Sequence, residues 1–139
     1  MLKANLRLLA GGRERKLLED IPDYCTVAFV QSAQFEPDGP LMGQLEDWGA
    51  AAVGFNCVAA DEMIPHLVSR LRRFTRLPLI CKPNAGNPII NEKGQAEYRL
   101  EPEPFARIVK ACYENGASLL GGCCGTTPAH MAALKKALD

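Results

Sequence analysis

Neither sign of charge prevails in this sequence: Lys plus Arg and Asp plus Glu stand at 16 each. A dedicated nucleic-acid surface or an anionic-membrane surface would show as a basic excess, so both partners are set aside. Long apolar runs are missing as well, and none approaches the ~20 residues that a membrane span requires. The opening stretch MLKANLRLLAGGRERKLLED lacks the uninterrupted apolar core and the small-residue cleavage site of a secretory signal. It is somewhat Arg-rich and amphipathic, which fits an ordinary surface helix better than a transit peptide. The expected setting is therefore cytoplasmic.

At 139 residues the chain reads as a single domain, large enough to bury a core. An apolar content of 47% with 23% charged residues is ordinary for a soluble globular protein. Cysteine is the unusual component, with six. A disulfide framework does not fit their surroundings. Cys25 and Cys81 lie at or in apolar, strand-like runs and Cys112 on the apolar face of a helical pattern, as small core hydrophobes of a reduced compartment do. That leaves Cys57, Cys123 and Cys124.

Along the chain, residues 1–24 read as a helical segment ended by Pro22, with Gly11-Gly12 as a break point. The remainder, 25–139, alternates strand and helix four times. Short apolar runs at 26–30, 51–55, 77–82 and 117–121 have the pattern of strands buried on both faces. Helices are expected near 41–48, after Asp61, over 101–115 and over 128–138. The second of these presents Met63, Leu67, Leu71 and Phe74 as its apolar stripe, and the third presents Phe105, Ile108, Val109 and Cys112. The stretch PNAGNPIINEKGQAEYRLEP, between the third strand and the third helix, is long and rich in Pro, Gly and Asn, as functional lids are. Alternation of this kind makes an α/β fold with a parallel sheet and crossover helices.

The thiols occupy the turns that matter in such a sheet. Cys57 ends the second strand in VGFNC, and Cys123 and Cys124 follow the fourth in GGCCGTTP. Both turns lie at carboxyl ends of strands, where parallel α/β sheets bind ligands. Neighbouring strand residues point to opposite faces, so adjacent cysteines converge only from irregular backbone. Gly121, Gly122 and Gly125 permit it, and Thr127-Pro128 starts the next helix. Three thiols there point to a metal site with one open position. A disulfide within the Cys123–Cys124 pair would need a strained ring.

GFNC followed roughly sixty-five residues later by GGCCGTTPAHM resembles the homocysteine S-methyltransferase family. Within it, the PNAGNP loop is similar to the homocysteine-binding module of cobalamin-dependent methionine synthases. The resemblance covers about 26–139. It implies a (βα)8 TIM barrel of which these residues form the C-terminal half, with a catalytic Zn2+ at the mouth held by Cys57, Cys123 and Cys124. It also implies homocysteine or a related thiol as substrate, with methionine as product. The methyl donor it implies is a methylcorrinoid on a partner, although a sulfonium or a betaine would serve the same chemistry.

Three thiolates leave a tetrahedral zinc one ligand short, which distinguishes a catalytic site from a structural one. A substrate thiol in that position would be favoured as the thiolate. One strand separates the two cysteine turns, a spacing of roughly 9–10 Å along a flat sheet. Curvature must shorten it, and curvature argues for barrel closure. Four strands leave two open edges, so a partner is expected, either a second copy or a complementary half-barrel chain. Asn56 is either a substrate contact or a loop support, and Lys82 and Asn84 are candidates for the mouth. Asn56 and Asn84 are taken as substrate-binding candidates. Tyr98 is expected to pack within the lid loop, His66 to face solvent or pack, and His130 to be a surface histidine rather than a fourth ligand. The competing reading is a non-catalytic zinc-binding half-barrel, an assembly subunit or a remnant, and a redox dithiol stands third.

Overall fold

The computed structural model describes residues 27–29 and 39–139. The helix expected over 1–24, Cys25 and the loop after the first strand lie outside the described residues. The elements are β1 (Val27–Phe29), α1 (Gly39–Asp47), β2 (Ala52–Ala59), α2 (Ile64–Leu71) and β3 (Leu79–Asn84), then β4 (Ile89–Ile90), β5 (Ala96–Glu97), α3 (Pro102–Glu114), β6 (Leu119–Leu120) and α4 (Pro128–Leu138).

All four expected strands are present, and they form one parallel sheet in the order β1-β2-β3-β6. Its register pairs Val27 with Ala52, Val53 with Leu79 and Ile80 with Leu119. β3 thus stands between the two cysteine-bearing strands. Alternation along the strands sorts the side chains. Val53, Phe55, Leu79 and Cys81 join Met42, Leu45, Ile64, Val68, Leu71, Phe105, Val109, Cys112 and Leu134 from the helices in one buried cluster. Ala52 and Ile80, on the opposite face, form a separate cluster that contains no helical residue. Among the described residues the helices thus pack on one face of the parallel sheet, the layering of a barrel segment rather than of a doubly wound sheet. Each large apolar side chain fully buried there contributes about 1.5–3 kcal/mol.

Three local expectations are corrected. β2 does not end at Cys57 but runs on two residues further, to Ala59. On α2 the buried stripe is Ile64, Val68 and Leu71, whereas Met63 precedes the helix and is 68% exposed, with Phe74 also exposed. The long loop contains a small antiparallel hairpin, β4 with β5, closed by a turn in which Asn91 Oδ1 accepts the N–H groups of Lys93 and Gln95. After that hairpin the chain crosses back as a strap to Glu101, the N-cap of α3, with Pro102 at its first helical position. Among the described residues no helix is long and apolar enough to cross a membrane.

Candidate metal centre

The backbone at the carboxyl end of β3 gathers both cysteine turns. On one side the chain after β6 continues to follow β3: Gly121 N–H donates to the Cys81 carbonyl at 3.0 Å and Cys123 N–H to the Pro83 carbonyl at 2.8 Å. Ala85 N–H then donates to the Cys124 carbonyl at 2.9 Å. On the other side β2 carries a bulge. Asn56 pairs with Lys82 and Ala59 with Asn84, so Cys57 and Val58 together oppose Pro83. Pro83 has no N–H to give a regular ladder, and bulges are one of the few places where strands tolerate proline. Within the bulge Cys57 has φ 60°, the only left-handed non-glycine residue among the described residues. That conformation costs an L-residue roughly 1–2 kcal/mol, and strain of this kind collects at functional sites.

The glycines act differently from expectation. Gly121 and Gly122 do not have left-handed φ angles, and only Gly125 does, at 76°. A Cβ on Gly122 would sit 2.5 Å from Thr126 Oγ1, so the turn is too tight there for any side chain. The irregular backbone that brings the thiols together is thus supplied by Cys57 itself and by Gly125.

The three sulfurs meet. Cys57 Sγ lies 2.8 Å from Cys123 Sγ and 3.9 Å from Cys124 Sγ, and the last pair is 4.0 Å apart. Cys57 and Cys123 are partly buried and Cys124 is exposed; all three are free thiols. Tetrahedral zinc with Zn–S bonds of about 2.3 Å sets sulfurs ~3.8 Å apart. Two edges of the triangle match that length, and the Cys57–Cys123 edge is about 1 Å short of it. No other group of three His, Cys, Asp or Glu among the described residues offers metal-ligand geometry. The donor set is soft, compact and open on the Cys124 side, so it fits a divalent zinc-like ion with a free position.

The charges within the trio are unequal. Burial, followed by hydrogen bonding to Cys123 and repulsion from Cys123 and Cys124, pushes the Cys57 thiol up to about 12. Burial also opposes ionisation at Cys123. There, hydrogen bonds with Cys57 and Cys124, the backbone N–H of Cys124 and the Asn56 amide outweigh it and hold the thiol below its ordinary value. Of these two thiols, Cys123 is therefore the easier to ionise and Cys57 the harder.

Around the sulfurs, Asn56 Nδ2 lies 3.5 Å from Cys57 Sγ and 3.9 Å from Cys123 Sγ. Asn84, read from the sequence as a substrate contact, is 2% exposed and turned inward. Its Nδ2 donates to the Cys57 carbonyl and its Oδ1 accepts the Cys124 N–H. It braces the turns from beneath. His130, expected at the surface, is buried too. The Thr127 N–H donates to its Nδ1 at 3.2 Å, so Nε2 carries the proton and donates to the Leu100 carbonyl at 2.8 Å. Its ring meets Phe105 edge-on at 5.3 Å. Tyr98 lies against Gly125 of the cysteine turn rather than only within its own loop. Burial first, then a hydrogen bond to Cys124, pushes its phenol upward. His66 is exposed on α2. The roles of Asn84, Tyr98 and His130 escape sequence reasoning because their partners lie far along the chain.

A family model described as homocysteine S-methyltransferase matches residues 3–138. The chain belongs to the homocysteine S-methyltransferase family. The match reaches well upstream of residue 26, where the resemblance read from the motifs began. Methionine synthase of Mycobacterium tuberculosis is 43% identical over 95 residues, which span 67% of this chain and 8% of that protein. Homocysteine S-methyltransferase 3 of Arabidopsis thaliana is 38% identical over 90 residues, 63% of this chain and 26% of the relative. Among solved structures, the metallated form of the homocysteine methyltransferase MmuM from Escherichia coli is similar, with TM-score 0.58 and 27% identity over 79% of this chain and 34% of that one. The chain thus spans well under half the length of these homocysteine S-methyltransferase relatives, and what it matches is a portion of their fold.

Proposed function

We propose that this chain is the metal-bearing module of a zinc-dependent thiol methyltransferase that methylates homocysteine to methionine. The observation that carries the reading is the convergence of Cys57, Cys123 and Cys124 from two separate turns onto one partly exposed point. Family membership supports the substrate class. These three cysteines would hold the ion, and when bound it would favour the thiolate form of the substrate sulfur. The trio's exposed side, at Cys124, is where homocysteine would approach. In the transfer a new sulfur–carbon bond forms, the methyl–donor bond breaks, and the thiol proton is released. Asn56 would support the two ligands it already faces. The PNAGNP loop, similar to that of cobalamin-dependent methionine synthases, favours a methylcorrinoid as donor.

The outer strands β1 and β6 each have a neighbour on one side only among the described residues. A closed barrel needs further strands. We infer that they come from a second copy, a complementary chain or further residues of a longer protein.

The test begins with metal content after equilibrium dialysis against zinc, for the wild type and for Cys57→Ser and Cys123→Ser. One ion per chain, lost in both variants, is the expected result. Homocysteine should then perturb the visible spectrum of the Co2+-substituted protein. An ion bound with no response to homocysteine would favour a non-catalytic half-barrel, and no ion at all would remove the reading.

A further inference from the structure

The triangle of sulfurs is uneven, and its short edge singles out one pair. Cys57 Sγ stands 2.8 Å from Cys123 Sγ, whereas Cys124 Sγ lies 3.9 Å from the first and 4.0 Å from the second. A disulfide needs ~2.05 Å between its sulfurs, and two ligands of one tetrahedral zinc stand ~3.8 Å apart. The short edge is therefore nearer to a bond than to a chelate. The backbone already holds both cysteines in place: Asn84 Nδ2 donates to the Cys57 carbonyl, and Cys123 N–H donates to the Pro83 carbonyl on the same strand. A bond within the adjacent Cys123–Cys124 pair would instead close a small strained ring. All three thiols are free, and the exposed Cys124 side opens the trio to small solutes.

We propose that Cys57 and Cys123 form an oxidative modification site: in the metal-free chain a hydroperoxide converts this pair, and not Cys124, into a disulfide. One thiol is oxidised to the sulfenic acid as the peroxide O–O bond breaks and the alcohol, or water, leaves. The other thiol then displaces the sulfenic oxygen, so that the S–S bond forms and water departs. Two thiol hydrogens and two electrons have passed to the oxidant. Bond and ion exclude each other, because the disulfide removes two of the three ligands and the ion holds the same sulfurs ~3.8 Å apart. Cys124 stays reduced and exposed. The exclusion rests on the reading of the three cysteines as one zinc centre, whereas the choice of pair rests on the sulfur geometry alone.

Hydrogen peroxide applied to the full chain, chelator-stripped or zinc-loaded, tests this by intact mass and by mapping of unreduced peptides. Metal-free wild type and Cys124→Ser should each lose two hydrogens and give peptides joined through Cys57 and Cys123. Dithiothreitol should reverse the change by thiol–disulfide exchange. Metal-free Cys57→Ser should gain oxygen instead of losing hydrogen. Zinc-loaded wild type should keep its mass over the same exposure, and the oxidised chain should take up zinc only after reduction. A bond from Cys124 to either neighbour in the wild type, or stable oxygen adducts without a cross-link, overturns the proposal. So does a Cys57–Cys123 bond that forms as fast with zinc bound as without it. A wild type that binds no zinc yet gives the Cys57–Cys123 bond removes the metal-centre reading and leaves the modification site standing.

Discussion

Asn84 donates from Nδ2 to the carbonyl oxygen of Cys57 at 3.1 Å, linking the end of β3 to the bulge of β2. The same amide accepts the Cys124 N–H at 3.0 Å. One buried side chain therefore spans the two cysteine turns, and the backbone of β3 tethers both flanks. The sulfurs meet because their turns share a buried support. A left-handed cysteine could not be held in place by local preference alone.

Removing that support should separate the turns. Asn84→Ala is expected to cost about 1–3 kcal/mol in urea unfolding, because the partly buried Cys57 carbonyl and Cys124 N–H both lose this partner. Zinc affinity should drop roughly 10–100-fold, as for other outer-shell substitutions. Asn84→Asp should do no better, since an anionic oxygen would replace the donor facing the Cys57 carbonyl. Full zinc affinity in Asn84→Ala, by chelator competition, would show that the thiols organise themselves.

Much of the fold was legible in the sequence for a plain reason. Strands buried on both faces are continuous apolar runs, and Thr127-Pro128 and Glu101-Pro102 mark helix starts by chemistry that needs no partner. The stripe of α2 was harder. Met63, Leu67 and Leu71 form one plausible face and Ile64, Val68 and Leu71 another, and only the position of the helix start chooses between them. The cysteine turns could be located, but not the device that closes them. Glycine was the obvious source of unusual backbone, whereas the decisive left-handed residue is Cys57, opposite a proline two strands' pairing away from any local signal. Asn84, Tyr98 and His130 all act across elements, so nothing near them in the chain announces their roles.

Two glycines with nearly the same φ give a sharp comparison. Gly94 has φ 74° with open space where a Cβ would go, and Gly125 has φ 76° with Tyr98 filling that space. Gly94→Ala should cost only the backbone term, about 1–2 kcal/mol. Gly125→Ala should cost at least that much and also push Tyr98 off the cysteine turn, lowering zinc affinity. Equal melting temperatures and equal zinc affinities for the two variants would contradict the packing described here.

His130 links three elements: the cap of α4 through Thr127, the strap through Leu100, and α3 through Phe105. His130→Ala would leave the Leu100 carbonyl without this donor and open a cavity beside Phe105. A loss of about 2–4 kcal/mol in chemical denaturation is expected. Amide exchange at residues 98–100 should accelerate more than exchange in β2. A uniform acceleration across both would mean that His130 stabilises the domain without specifically holding the strap.

Glu46 supplies the pH dependence that can be read with a definite sign. Its carboxylate, on α1, accepts from the Thr75 hydroxyl at 2.6 Å and the Arg76 N–H at 2.7 Å, with Arg76 Nε at 3.3 Å from the other oxygen. The Thr75 bond first, then the Arg76 backbone N–H, hold its pKa below the ordinary 4.5. A folded-state value below the unfolded one means that the ionised form stabilises the fold. That contribution is fully present above pH 4.5 and disappears as pH falls through the lower, folded-state value. Glu46→Gln keeps an acceptor but not the charge, so its melting temperature should lie below wild type at pH 7, and the gap should close on acidification toward pH 3. Arg76→Ala should reproduce little of this, because the Arg76 side chain is 96% exposed and its ion pair is screened by water. A wild-type-to-Gln gap that stays constant from pH 7 to pH 3 would mean that the Glu46 charge contributes nothing, and that packing and the neutral hydrogen bonds alone join α1 to the turn before β3.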